Sequence, residues 1–162
     1  MGAMIFAIDP GTEESAWALL DKDCKPVTFG KVPNDELLKI INLSPTCNRK
    51  FAIEMVASYG MAVGKEVFET VYWIGRYWEA ARPFYHEHNM SRIYRIDVKN
   101  HLCHSSRAND SNIRQALIDR FGVTGTKKNP GWFYGVSGDI WSAIAVGVVA
   151  ADRAQEAIDA QG

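Results

Sequence analysis

The sequence predicts an α/β protein in which three strands come first and strands then alternate with helices. Short apolar runs separated by polar turns occupy the first 32 residues, two apolar runs end in an acidic residue, and later apolar positions recur three and four apart. The first pattern is typical of strands and the last is typical of amphipathic helices. The length of 162 residues suits one domain with a single hydrophobic core.

The N-terminal part of the chain is expected to form strands. An apolar run over residues 4–9 ends in Asp9 and is closed by Pro10 and Gly11, as in a buried strand that enters a turn. The polar segment 21–25 separates two further candidates, so we expect an antiparallel meander. These candidates are residues 15–20 and 27–32.

The first helices are predicted after the three strands of the meander. Asn34 is expected to cap a short helix that ends near Ile41. Residues 51–54 repeat the pattern of an apolar strand that ends in an acid, here Glu54, and residues 61–81 are predicted to form a long helix. One apolar face of this helix is predicted from positions three and four apart: Val63, Val67, Val71, Ile74 and Trp78. Its aromatic residues Tyr72, Trp73, Tyr77 and Trp78 are assigned to packing in the core or a dimer interface.

The C-terminal part is predicted to be mostly helical. A strand is expected at residues 92–96, and Gly122 is the expected stop of a helix that begins at Asn109. A loop with several glycines precedes the last helix, which begins at Asp139. The predicted helices are residues 97–102, 109–121 and 139–154.

Composition limits the class of protein. Hydrophobic residues make up 47% and charged residues 23% of the chain, as in soluble globular proteins. No apolar run approaches the ~20 residues of a membrane helix and no secretory signal is visible, so a cytoplasmic protein is expected. The cysteines Cys24, Cys47 and Cys103 lack paired spacing and are read as free thiols. Residues 1–3 resemble a tag remnant, and residues 4–162 are expected to form one domain.

Charge is distributed unevenly along the chain. The net charge is −1, but residues 92–128 contain eight Lys or Arg and three Asp, a local balance of +5. The rest of the chain therefore carries −6. This asymmetry predicts a basic face that meets phosphates, although a merely solvated basic face is the alternative.

Three carboxylates are candidates for chemistry. Asp9 and Glu54 each end an apolar strand, and Asp139 begins a helix. If the two strands pair in parallel, their acidic ends emerge at the same edge of the sheet. Carboxylate oxygens suit Mg²⁺ or Mn²⁺, and two such ions can activate water and stabilise a leaving oxygen. Taken singly, Asp9 is typical of a turn and Asp139 of a helix cap.

The order of these motifs resembles the RuvC-type Holliday junction resolvases of the RNase H-like superfamily, particularly their phage-like branch. The resemblance runs from Met4 to about Arg153. The segments that carry it are residues 9–12 (Asp-Pro-Gly-Thr), 52–54 (Ala-Ile-Glu), 98–115 and 139–146. A phage-encoded enzyme would act in the host bacterial cytoplasm.

This resemblance implies a five-stranded mixed sheet flanked by helices, and a homodimer that acts on four-way junctions or other branched DNA. It also implies that Asp9 is shared between two metal ions, with Glu54 and Asp139 completing the site. The family often has an acid three positions beyond Asp139, where this chain has Ser142. Either three carboxylates suffice for catalysis, or the register shifts so that Asp139 fills the role of the later acid, or the enzyme is weakened or inactive. We favour three carboxylates, because a hydroxyl group or water can complete the shell of a hard cation.

Several side chains are expected to contact DNA. An aromatic residue wedges into the junction in the resembling enzymes, but the matching position is Ala57, so Tyr59 is the expected substitute. Stacking on an unpaired base is worth ~1–3 kcal/mol. Phosphate contacts are expected from basic and polar side chains of the basic segment. These are Lys99, Arg107, Asn112, Arg114, Lys127 and Lys128.

Other functions compete with a resolvase. A junction-binding protein without catalysis would explain Ser142, and an RNase H acting on RNA–DNA hybrids would share the metal site. The turn after Asp9 also resembles the phosphate-binding loop of actin-type kinases, but those enzymes close two lobes over ATP and this chain is long enough for one. Zinc is not expected, because the His and Cys residues near His86 and His101 lack the spacing of a four-ligand site.

Overall fold

A computed structural model describes residues 3–43 and 49–162 of the protein. Within these residues the strands are β1 (Met4–Asp9), β2 (Glu14–Leu20), β3 (Pro26–Pro33), β4 (Arg49–Met55) and β5 (Met90–Tyr94). The helices are α1 (Asn34–Asn42), α2 (Lys65–Ala81), α3 (Arg95–Cys103), α4 (Asp110–Phe121) and α5 (Ile140–Asp159).

The strands form one mixed sheet in the order β3-β2-β1-β4-β5. The first three strands pair antiparallel, which confirms the predicted meander, while β4 pairs parallel to both β1 and β5. Parallel neighbours need a crossover, and the segments that contain α1 and α2 provide these connections. The five-stranded mixed sheet flanked by helices is therefore confirmed.

Small side chains on one face of the sheet allow α5 to pack closely. Alternate residues of β1 and β2 point to this face, where alanines such as Ala7 and Ala18 are fully buried. In α5, Gly147 lies where a Cβ atom would come within 2.6 Å of the Leu20 Cδ1 atom and 3.1 Å of the Ala7 Cβ atom. A side chain at this position would force the Leu20 side chain to move and would crowd Ala7.

The opposite face carries a core of large side chains beneath α1 and α2. The ring of Phe6 stacks on Trp17 at 5.5 Å between centroids and on Phe51 at 6.2 Å. Leu37 and Ile41 of α1 pack into the same cluster. The sheet thus separates two cores, and the residues that alternate along β1 contribute to both.

The long helix differs from its prediction. It begins at Lys65, four residues later than expected, with Gly64 in an extended conformation before it. Its buried face is formed by Thr70, Ile74, Tyr77 and Ala81, whereas Val71 is 39% exposed. Ile74 and Trp78 of the predicted face do pack in the core, whereas Val71 faces outward and Val63 precedes the helix, so the predicted face is confirmed only in its C-terminal half.

Smaller differences concern the ends of helices and of one strand. Pro33, rather than Asn34, precedes α1, and Asn34 is a buried first helical residue. Strand β5 ends at Tyr94, two residues early, so Arg95 begins α3. Helix α4 ends before Gly122 as predicted, and Asn109, predicted as its first residue, caps it instead, with its side chain accepting from the Asn112 N–H at 2.9 Å.

Two further expectations concern composition. Cys24 and Cys103 are free thiols, and Cys47 lies outside the described residues. Among the helices that the structure describes, none is both long and apolar enough to cross a membrane.

Candidate active site

Parallel pairing brings Asp9 and Glu54 side by side. Ile8 of β1 pairs with Ile53 of β4, so the next residue of each strand is an acid at the same edge of the sheet. Strand alternation points Asp9 to the same face as Ala7, and Glu54 to the same face as Ala52. Both carboxylates therefore face α5.

A buried polar network holds the turn that follows Asp9. The Ser15 hydroxyl accepts a hydrogen bond from the Gly11 N–H at 3.1 Å, donates to the Asn34 Oδ1 atom at 2.7 Å and lies 3.0 Å from the Tyr77 hydroxyl. The Asn34 amide in turn donates to the Gly11 carbonyl at 3.0 Å. Asn34 thus serves this network instead of the helix cap predicted for it. A Cβ atom at Gly11 would meet the Glu14 carbonyl oxygen at 2.2 Å, so this turn requires glycine.

The third carboxylate, Asp139, immediately precedes α5. Its side chain makes no capping hydrogen bond. Instead, its Oδ2 atom accepts from the Lys31 ammonium group at 2.7 Å. The sheet register explains this contact, because Ala16 pairs with Asp9 on one side and with Lys31 on the other. Lys31 therefore lies in the same row across the sheet as Asp9.

Electrostatics show that the three acids are neighbours. Burial, followed by the negative charges of Glu54 and Asp139, raises the pKa of Asp9 to about 8, against the opposing effect of Arg95. Burial also raises the pKa of Glu54, although Arg95, a hydrogen bond with Asp9 and Lys99 act to lower it. The Glu54 Oε2 atom is buried without a hydrogen-bond partner. Such a group of carboxylates is unstable when fully ionised unless positive charge joins it.

The donor set fits a hard divalent cation. All three side chains offer oxygen, the ligand that Mg²⁺ and Mn²⁺ prefer, and the unpartnered Glu54 oxygen has capacity for a further contact. However, among residues 3–43 and 49–162 no three acidic, His or Cys side chains already converge tightly enough to hold an ion. Asp139 is engaged by Lys31, and that exposed ion pair is weak enough to be exchanged for a cation.

Two of the predicted DNA-binding residues lie near the carboxylates. Lys99 is half-buried on α3, and its charge acts to lower the pKa of Glu54. Arg114 is exposed on α4, and its guanidinium group lies 5.0 Å from the centre of the Trp141 ring. Arg114 and Asp139 line the same cavity of about 330 Å³. Both cations therefore lie close to the acids, and their contact with phosphate stays a prediction.

Tyr59 occupies the tip of a tight turn after β4. Tyr59 and Gly60 both have positive φ values, 50° and 80°, and the Met61 N–H donates to the Ser58 carbonyl at 2.9 Å. This is the geometry of a type I′ turn. The Tyr59 side chain is 56% exposed, and its stacking on a base stays a prediction.

Arg107 and Asn112 line a separate groove of about 400 Å³ between α3 and α4. Arg107 is exposed. The Asn112 side-chain oxygen, however, accepts from the Asn109 N–H at 3.0 Å, and its own N–H is used by the Asn109 side chain. The structure thus gives Asn112 a capping function and leaves its predicted contact with phosphate untested.

Lys127 and Lys128 are exposed at the tip of a small hairpin closed by the bridge between Gly125 and Pro130. After this hairpin, Trp132 stacks on Phe121 at 5.4 Å, at the C-terminal end of α4. The N-terminal end of α4 adjoins the carboxylates, and a helix of 12 residues spans roughly 18 Å. The base of the hairpin therefore lies at the opposite end of α4 from the site.

Two basic residues of the site were not predicted. Lys31 could have been found only from the register of β2 and β3. Arg95 belongs to the basic segment, but its proximity to the acids depends on β5 ending at Tyr94. A carboxylate pair with a raised pKa that is opposed by a nearby arginine makes this end of the sheet the candidate functional site.

A mixed sheet with helices on both faces and acids at the ends of two adjacent inner strands defines an RNase H-like fold. Within that class, the chain has the fold of the RuvC-type Holliday junction resolvases. A structure of Thermus thermophilus RuvC in complex with a Holliday junction substrate has a TM-score of 0.68 and 14% sequence identity, covering 96% of each chain. Another T. thermophilus RuvC structure has a TM-score of 0.67 and 16% identity, covering 95% of this chain and 96% of that chain. No family model matches the sequence, and no curated protein is similar to it in sequence.

Proposed function

We propose that this protein is a structure-selective endonuclease that hydrolyses phosphodiester bonds in Holliday junctions and other branched DNA. The observation that carries the proposal is the placement of Asp9 beside Glu54 on the α5 face of a RuvC-type fold, with Asp139 close enough to raise the pKa of Asp9. The similar T. thermophilus RuvC is bound to a Holliday junction substrate, which favours branched DNA as the substrate class here.

Asp9, Glu54 and Asp139 would hold two Mg²⁺ or Mn²⁺ ions per active site. When bound, the ions supply the positive charge that activates a water molecule and stabilises the leaving oxygen of the phosphodiester. In hydrolysis the water oxygen bonds to phosphorus while one P–O ester bond breaks, and the leaving oxygen gains a proton. Ser15 and Asn34 hold the turn that follows Asp9 through their contacts to Gly11, which limits movement of the backbone that carries this carboxylate.

Basic side chains beside the acids favour a DNA backbone as the bound group. Lys99 and Arg114 provide positive charge near the carboxylates, and guanidinium groups bind phosphate oxygens through paired hydrogen bonds. Tyr59 is proposed to stack on a base at the branch point, since it is exposed on a tight turn after β4. Arg107, Asn112, Lys127 and Lys128 are proposed to contact more distant phosphates.

A homodimer is part of the proposal, because cutting two strands of a junction requires two active sites. The outward face of α2 is the proposed interface. Phe68 is 65% exposed, Tyr72 is 59% exposed and Val71 is 39% exposed on this face. Exposed aromatic side chains on one helix face are typical of surfaces that associate.

The proposal is tested by incubating the purified protein with a four-way DNA junction, a linear duplex and an RNA–DNA hybrid, each with Mg²⁺ or Mn²⁺. We expect paired nicks in the junction only. The variant Asp9→Asn should bind the junction and not cut it, while Asp119→Asn, at an exposed site on α4, should cut like the wild type. Cleavage in EDTA, or preferential cleavage of the hybrid, would contradict the proposal.

A junction-binding protein without catalysis is the second candidate, and Ser142 is the observation that favours it. Ser142 lines the cavity beside Asp139 in place of an acid, and its N–H donates to the Asp139 carbonyl at 3.0 Å. This candidate predicts a gel shift with the junction and no product with either metal. Restoring the acid with Ser142→Asp would then be expected to produce cleavage.

A further inference from the structure

The guanidinium group of Arg95 lies between the acids and the start of α4. Ile93 of β5 pairs with Glu54, and Arg95 follows two residues later as the first residue of α3. Its positive charge works against the raised pKa of both Asp9 and Glu54. The side chain is only 24% exposed, so this charge is held inside the site.

Asp110 holds one side of this guanidinium group. The Arg95 Nη2 atom forms an ion pair with the Asp110 Oδ1 atom, at the first residue of α4. The Arg95 Nη1 atom is buried and has no hydrogen-bond partner among the described residues. A buried charged N–H group without an acceptor is costly, so the free edge of Arg95 is suited to an incoming anion.

The side chains around Arg95 indicate that this anion is a phosphate group. Arg95 and Arg114 line one cavity of about 330 Å³, together with Asp139 and Ser142. Two guanidinium groups that converge beside a metal-type acidic site match a phosphate oxygen, because arginine offers paired donors in a fixed plane. The negative charge of Asp110 in this cavity is balanced by its own ion pair with Arg95.

We propose that Arg95 donates a hydrogen bond from Nη1 to a non-bridging oxygen of the phosphate that is cut, and that Asp110 is a positioning residue that acts through Arg95. The inference rests on the proposed endonuclease function and adds two residues to it. A fixed donor aimed at the phosphate stabilises the negative charge that grows there during hydrolysis. Loss of one such donor typically costs about 100- to 1000-fold in rate.

The simpler role for Arg95 is a counter-ion that only offsets the carboxylates. The two roles predict different results for Arg95→Gln. A counter-ion would leave the cleavage rate at saturating metal unchanged and would tighten Mn²⁺ binding when removed. A phosphate ligand would lower the rate at saturating metal.

The test measures single-turnover cleavage of a four-way junction at saturating Mg²⁺, for Arg95→Gln, Arg95→Lys, Asp110→Ala and the double variant of Arg95→Gln with Asp110→Ala. We expect losses of about 100-fold or more for Arg95→Gln and about 10-fold for Asp110→Ala, with junction affinity reduced less than 10-fold. The cleavage rate of the double variant should match that of Arg95→Gln within about 3-fold, because Asp110 acts through Arg95. Arg95→Lys keeps the positive charge but not the planar pair of donors. Its cleavage rate should therefore lie between those of the wild type and Arg95→Gln. Arg82→Gln, an exposed arginine paired with Glu79 on α2, is the matched control.

A second readout separates this inference from the proposed function. The slope of log affinity against log salt for junction binding in EDTA should decrease by about 1 for Arg95→Gln and stay unchanged for Arg82→Gln. If the wild type cuts but Arg95→Gln cuts equally fast, the inference is wrong and the endonuclease function stands. If the wild type does not cut with either metal, the function fails, and an unchanged salt slope would refute the phosphate contact as well.

Discussion

Removing the Asp9 charge should stabilise the protein at neutral and alkaline pH in the absence of metal. The unfolded chain releases the Asp9 proton near the ordinary pKa of 3.8, whereas the folded protein keeps it until a pKa of about 8. Between these values the folded state binds more protons than the unfolded state, so the free energy of unfolding falls as pH rises. Asp9→Asn cannot ionise and should not show this loss.

The raised pKa sets the size of the effect. Each unit of pKa difference corresponds to about 1.4 kcal/mol. A rise from 3.8 to about 8 therefore means that ionising Asp9 lowers the free energy of unfolding by at most roughly 6 kcal/mol. Asp9 keeps some solvent exposure and Glu54 can share the proton, so we expect about half of this limit, roughly 3 kcal/mol, at pH 8.5. For a protein of this size the melting temperature should rise by roughly 6 to 12 °C.

The assay is urea unfolding in EDTA at several pH values from 4 to 8.5, for the wild type, Asp9→Asn and Asp119→Asn. The two stability curves of wild type and Asp9→Asn should nearly meet at pH 4 and separate steadily above it. Asp119 is exposed, so its variant should follow the wild type. Parallel curves for wild type and Asp9→Asn, or a less stable Asp9→Asn at pH 8.5, would refute the reasoning.

Three further predictions follow from the site and its surroundings. Lys31→Gln frees Asp139 from its ion pair and should tighten Mn²⁺ binding up to about 5-fold in calorimetry; weaker binding would contradict this. Phe68→Asp should shift the protein from dimer to monomer in sedimentation equilibrium with little change in stability, and an unchanged mass would exclude this interface. Ser15→Ala leaves buried partners without a hydrogen bond and should cost about 1–3 kcal/mol in urea unfolding; a loss under 0.5 kcal/mol would contradict the network.

Local patterns predicted most of the elements correctly. Each strand of the meander is encoded by its own apolar run, and the C-terminal end of α4 is encoded by Gly122. The acids at the ends of β1 and β4 are likewise visible in the sequence, because a strand that ends in a carboxylate presents it at the sheet edge. The parallel pairing that joins Asp9 to Glu54 was then the one assumption needed, and the register confirms it.

The sequence by itself therefore determined the order of the elements and the acids at the ends of two apolar strands, since these depend on neighbouring residues and on the period of apolar positions. The five-stranded mixed sheet was implied by the family resemblance and not by any local pattern. Tertiary structure decided which cations approach those acids and which face of α2 is buried. Lys31 reaches Asp139 across 108 positions of the chain, and Arg95 reaches the acids because β5 stops where it does. Such contacts depend on strand register and on helix rotation, and these are decided by the packing of the whole core and not by any local run of residues.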